Sequence, residues 1–131
     1  MTYTLYPSLL KRTVFISGGS SGLGAELVRA FAAQGSQVAF CGTKAGGGDG
    51  LIGEITQAGH RAPYYEACDV RDIAALQQLL GRVADRMGPI RVLVNNAGRD
   101  DRHSLDQLTP EYWDNCLNIN LRHQVFATQT V

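Results

Sequence analysis

Short apolar runs of strand composition alternate along this chain with longer stretches whose apolar side chains recur at helical spacing, the pattern of a parallel sheet with crossover helices. TVFISG, from Thr13, reads as a buried strand. Leu23, Leu27, Val28 and Phe31 then form a helical stripe that Gln34 and Gly35 close. QVAFCG is the second strand, and residues 43–50, TKAGGGDG, predict a mobile Gly-rich loop. Leu51, Ile52 and Ile55 open a short helix that ends near Gly59, and APYYEACDV carries the third strand. Ile73, Leu76, Leu79, Leu80 and Val83 stripe a third helix, stopped by Gly88 and Pro89. IRVLVNNAG supplies the fourth strand and the loop behind it, and a last helix begins at Pro110 with Thr109 as its N-cap. The predicted fold class is α/β.

That last helix is still in progress at residues 118–131, NINLRHQVFATQTV, where Val125, Phe126 and Val131 ask for a partner surface and no Gly, Pro or basic turn closes the element. A length of 131 residues suits one domain and is short for a complete two-substrate enzyme. Twelve basic and twelve acidic side chains cancel, so no long-range field draws in nucleic acid or an acidic membrane. The start, MTYTLYPSLLKRTVFI, lacks the pattern of a secretory leader, and no apolar run approaches the ~20 residues that span a bilayer, which predicts a cytoplasmic protein. Cys41, Cys68 and Cys116 are odd in number and widely spaced, so they read as reduced, buried thiols. His60, His103 and His123 have no metal-ligand spacing, and no metal site is expected.

The strongest chemical signal is SGGSSGLG, residues 17–24, at the turn from the first strand into the first helix. There the backbone N–H groups and the positive end of the helix dipole converge on one spot, which suits a phosphate. Gly18, Gly22 and Gly24 let a ligand approach without a clashing Cβ, while Ser20, Ser21 and Leu23 lie between them. The competing reading is a tight turn whose serines cap the helix. Its spacing is G-x-x-x-G-x-G, not the commoner G-x-G-x-x-G.

That spacing resembles the cofactor fingerprint of the short-chain dehydrogenases/reductases, and three further blocks agree. NNAG at residues 95–98 follows the fourth strand; Asp69 and Val70 follow the third; EYWDNCLNINL resembles the family's fourth helix, with its asparagine at Asn120 and not Asn118. The resemblance implies a Rossmann-like doubly wound parallel sheet, incomplete here, with the first four strands and their helices. It implies that Asn96, Ala97 and Gly98 line a cofactor site and that Asp69 and Val70 meet an adenine ring. It implies a catalytic-set role for Asn120, whose competing reading is a polar helix residue that caps a neighbouring backbone group. YPSL, DDRH, YWD and NLRH narrow the likeness to bacterial sugar 1-dehydrogenases of the D-xylose type, which oxidise an aldose to a lactone. Residues 100–103, DDRH, read equally as a solvated charged loop.

In such sheets an acid after the second strand binds the ribose diol of NAD, and a base accommodates the extra phosphate of NADP. The chain offers Cys41, Gly42, Thr43 and Lys44 there, which favours NADP of the two; Lys44 reads equally as an ordinary loop lysine. The resemblance further implies a serine and a Tyr-x-x-x-Lys pair as proton machinery, since a phenol titrates near ~10 unaided. Lys11 and Lys44 are the only lysines, and the residues four beyond Tyr3, Tyr6, Tyr64, Tyr65 and Tyr112 are Pro7, Leu10, Cys68, Asp69 and Cys116. Residues 1–131 therefore read as the N-terminal NAD(P)-binding part of one Rossmann-fold domain, with the catalytic part absent. The expected function is hydride transfer between NAD(P) and a small alcohol or sugar, by a full-length form that is a homo-oligomer. The 131 residues alone are expected to be inactive, and the alternative is a nucleotide-binding module without catalysis.

Overall fold

A computed structural model describes residues 4–131; Met1, Thr2 and Tyr3, which open the stretch read for a leader, lie outside it. Four parallel strands form one sheet in the order β3-β2-β1-β4, with β1 at Thr13–Ser17, β2 at Gln37–Gly42, β3 at Tyr64–Ala67 and β4 at Ile90–Val94. Helix α1 spans Gly22–Ala33, α2 Asp49–Gln57 and α3 Ile73–Met87. Every residue of β1 is buried, as a strand must be when helices cover both faces.

Alternate side chains of β1 and β2 feed two cores. Val14, Ile16, Val38 and Phe40 pack with Val28 and Ala32 of α1 and with Leu51 and Ile55 of α2. Phe15, Ala39 and Cys41 pack on the other face with Leu76, Leu79, Leu80 and Val83 of α3. Full burial of a side chain such as Phe40 contributes about 1.5–3 kcal/mol. The fold class is the predicted one, an α/β sheet wound on both faces. Three details differ. The stripe read through Leu23 is wrong at its first position: Leu23 is 80% exposed, and Gly24 and Ala25 turn inward instead. Helix α2 begins at Asp49, so most of the Gly-rich segment is a turn packed on Tyr65, whose ring leaves no room for a Cβ at Gly48.

The last helix is also not uniform. Helix α4 at Pro110–Leu117, N-capped by Thr109 through its bond from the Tyr112 N–H at 3.1 Å, runs into a π-helical stretch at Asn118–Arg122 and then into α5 at His123–Thr130. Single π turns collect at functional positions, and this one carries Asn120. In β4, Ile90 pairs with Thr13 and Val92 with Val14, so the exposed Arg91 is the extra residue of a bulge. Among the described residues, no helix is long and apolar enough to cross a membrane.

Candidate functional site

The carboxyl ends of β1, β2 and β4 open into a crevice of about 530 Å³, walled by Gly18, Ser20, Ser21, Gly24, Thr43 and Asp69, with Ala97 and Gly98 opposite. Gly18 and Gly22 have φ of 66° and 55°, a region L side chains rarely adopt. A Cβ at Gly24 would lie 2.0 Å from the Gly18 carbonyl oxygen, so α1 abuts the turn too closely for any side chain. Ser21 is the N-cap of α1, but its hydroxyl bonds to none of the helix's first N–H groups. The capping reading of that serine therefore fails, and those donors remain available to a ligand.

Asn96 fixes the turn from the β4 side. Its Nδ2 donates to the Ser17 carbonyl at 3.1 Å and to the Gly18 carbonyl at 3.0 Å, while the N–H groups of Asn96 and Ala97 both donate to Ser17 Oγ at 3.1 Å. Ser17 thus organises the loop, a role its place inside a strand pattern conceals. Beyond Gly98, the Arg99 N–H donates to Asn120 Oδ1 at 2.7 Å. Asn120 here holds a neighbouring backbone group, as its plainer reading predicts. One turn on, His123 is fully buried with Nε2 3.1 Å from the Ala97 carbonyl oxygen, and its Nδ1 has no partner among the described residues. The loop is held from the π-helical stretch and α5 by two side chains three positions apart, a helical spacing already present in NLRH.

Asp69 and Val70 follow β3 and line the same crevice, with Val70 buried. Both Asp69 oxygens accept from Arg71, whose other arm donates to Asn115 Oδ1 at 3.0 Å on α4. The Arg71 hydrogen bond holds the Asp69 carboxyl below the usual carboxylate range. Leu23 stands at the rim. Thr43 lines the crevice; Lys44 is exposed, and among the described residues no ion pair involves it. Residues 100–103 are exposed, and Arg102 faces Asp100 at 3.8 Å while Arg99 pairs with Asp101 at 3.1 Å.

A larger groove of about 840 Å³ runs outside the sheet between α1 and α2. Its charges face one another, Arg29 with Glu26 and Glu54 at 2.8 Å each, and Gln34 is taken up by the Tyr6 N–H and the Thr4 carbonyl, so the lining is mainly apolar. The smaller crevice is the better site, because it joins a free helix N-terminus to a close backbone approach.

Residues 12–131 match the short chain dehydrogenase family. The chain is 41% identical over 126 residues to a probable galactose dehydrogenase of Rhizobium meliloti, covering 96% of this chain and 49% of that protein. It is 40% identical over its full 131 residues to a D-xylose 1-dehydrogenase of Caulobacter vibrioides, covering 51% of that protein. A short chain dehydrogenase from Burkholderia cenocepacia, solved in complex with NADP, superposes with a TM-score of 0.86 at 34% identity, over 93% of this chain and 50% of that one. The chain spans about half the length of the curated relatives it matches. It belongs to the short-chain dehydrogenase family.

Proposed function

We propose that this short-chain dehydrogenase chain is the nucleotide-binding part of an oxidoreductase that moves a hydride between NAD(P) and the hydroxyl or carbonyl of a small molecule. The observation that carries this reading is the uncapped N-terminus of α1 facing a turn into which no side chain fits at Gly24. A pyrophosphate suits that cradle: the first-turn N–H groups of α1 have no side-chain cap and carry the positive end of the helix dipole, and the Ser20 and Ser21 hydroxyls add donors. Asn96, Ala97 and Gly98 form the opposite wall, and Asp69 with Val70 borders the adenine end, where Arg71 must share its partner. A bound nicotinamide supplies or accepts the hydride.

Of the two cofactors, NADP is favoured by the absence of an acid after β2 and by the presence of Lys44. The names of the two sugar dehydrogenase relatives support an aldose, oxidised at C1, as the substrate class. Trp113, Leu117, Leu121 and Val125 are exposed at four-residue intervals from α4 through the π-helical stretch into α5, which supports a homo-oligomer of the full-length form. The free thiols of Cys41, Cys68 and Cys116 support a cytoplasmic setting. A second reading, a nucleotide-binding module without turnover, is favoured for the 131 residues themselves by the lack of any Tyr-x-x-x-Lys pair.

Calorimetric titration of the purified chain tests the first reading: saturable binding of both cofactors, with NADP the tighter, is expected. No binding of either overturns it, and equal or tighter binding of NAD overturns the cofactor preference. Aldose-dependent cofactor reduction by a pure sample overturns the second reading.

A further inference from the structure

We propose that the Tyr65 hydroxyl sets the preference of this crevice for NADP over NAD, as a positioning residue that fixes the turn carrying Thr43 and Lys44. The proposal rests on the dinucleotide reading above. Tyr65 stands on β3 opposite Phe40 of β2, with ring centroids 5.0 Å apart, and its hydroxyl reaches past the strand to donate to the Lys44 carbonyl. The turn lies flat on the ring: a Cβ at Gly48 would meet Tyr65 Cγ at 2.5 Å, and one at Gly47 would meet the phenolic oxygen at 2.9 Å. The same oxygen would lie 3.2 Å from a Cβ at Gly42, where the Ser20 hydroxyl of the Gly-rich turn would lie at 2.4 Å. One hydroxyl therefore sits where the end of β2, the phosphate turn and the Lys44 peptide come together.

The glycines at 46–48 place no side chain that could hold the turn; the Gly47 N–H to Lys44 carbonyl and Asp49 N–H to Gly46 carbonyl bonds close it from within, and the Tyr65 hydroxyl ties it to β3. Thr43 lines the crevice, and the exposed Lys44 follows it directly. A phosphate on the adenosine ribose requires a cation held in place, whereas a ribose diol needs nothing from Lys44. Loss of the hydroxyl leaves the Lys44 carbonyl with only the Gly47 N–H of its own turn, at 3.0 Å, unties the turn from β3, and weakens the phosphate contact alone.

The test is the calorimetric dissociation constant of NADP and of NAD for the unaltered chain and for Y65F, K44A and Y65F/K44A. Y65F is expected to weaken NADP about threefold to tenfold, the range of one neutral hydrogen bond, with NAD changed less than about twofold. In the K44A background Y65F should have no further effect on the ratio, since it acts through Lys44. A purely structural role would lower both affinities together and persist without Lys44. If Y65F does not fold, Gly47→Ala retains the hydroxyl but lifts the turn off it, and the same fall in the ratio is expected. An unchanged ratio in the variant that folds overturns this inference alone. Failure of the unaltered chain to bind either cofactor overturns the dinucleotide reading and this inference with it.

Discussion

The Nδ2 of Asn96 lies 3.0 Å from the carbonyl oxygen of Gly18, so the loop after the edge strand β4 holds the turn after the central strand β1 in place. The same nitrogen serves the Ser17 carbonyl, and both acceptors sit where a misplaced peptide would fill the crevice. Asn96→Leu removes both bonds and leaves two part-buried carbonyls without a donor. It should cost about 1–3 kcal/mol in urea unfolding, and it should weaken both cofactors together. Unchanged affinity for NADP would separate this bond from the site.

Helix α1 approaches the turn at Gly24 so closely that Gly24→Ala places a methyl 2.0 Å from backbone oxygen, a contact no rotamer relieves. The helix must shift as a body, at about 1–3 kcal/mol or more. NADP binding should fall below detection while circular dichroism retains the α/β signature. By contrast, Gly53→Ala on α2 meets nothing within 4 Å and should leave binding unchanged.

Glu66 on β3 accepts from Arg82 of α3 and, at 2.7 Å, from the Tyr64 hydroxyl, and these bonds, Arg82 first, hold its carboxyl below the ordinary glutamate range. A depressed acid stabilises the fold at every pH above its unfolded value, and that contribution disappears as pH falls through the folded value. E66Q should therefore melt below the unaltered chain at neutral pH, and the two melting curves should converge in acid. A gap that widens on acidification would reverse the sign.

Burial pushes the Cys41 thiol up to about 12, so no useful thiolate forms at neutral pH. Iodoacetamide should spare Cys41 in the native chain and label it in urea, whereas the half-buried Cys116 should label first. Peptide mapping by mass spectrometry reads both. Early native labelling of Cys41 would place the β2 end in a more open state.

The succession of strands and helices along the chain was legible because burial on both faces demands unbroken apolar runs such as TVFIS, and the Gly-rich turn because its meaning depends on a local strand-to-helix context. Leu23 misled because helical period cannot tell a first-turn residue at a crevice rim from a core residue. The packing of Gly47 and Gly48 on Tyr65, the Arg71 link from Asp69 across to Asn115 and the burial of His123 under Ala97 join residues far apart in the chain or on different elements. Composition presents them as a loop, a charged pair and an ordinary helix position. The π turn at Asn118–Arg122 has no Gly or Pro to announce it.

On the function proposed, the first turn of α1 seats a dinucleotide's pyrophosphate. Amide chemical shifts of the isotope-labelled chain, followed as NADP is added, test it most directly. Saturable shifts are expected, concentrated at Gly18, Ser20, Ser21, Gly22, Leu23 and Gly24 with companions at Ala97 and Gly98. Shifts confined to the outer groove between α1 and α2, or none at saturating NADP, would contradict it.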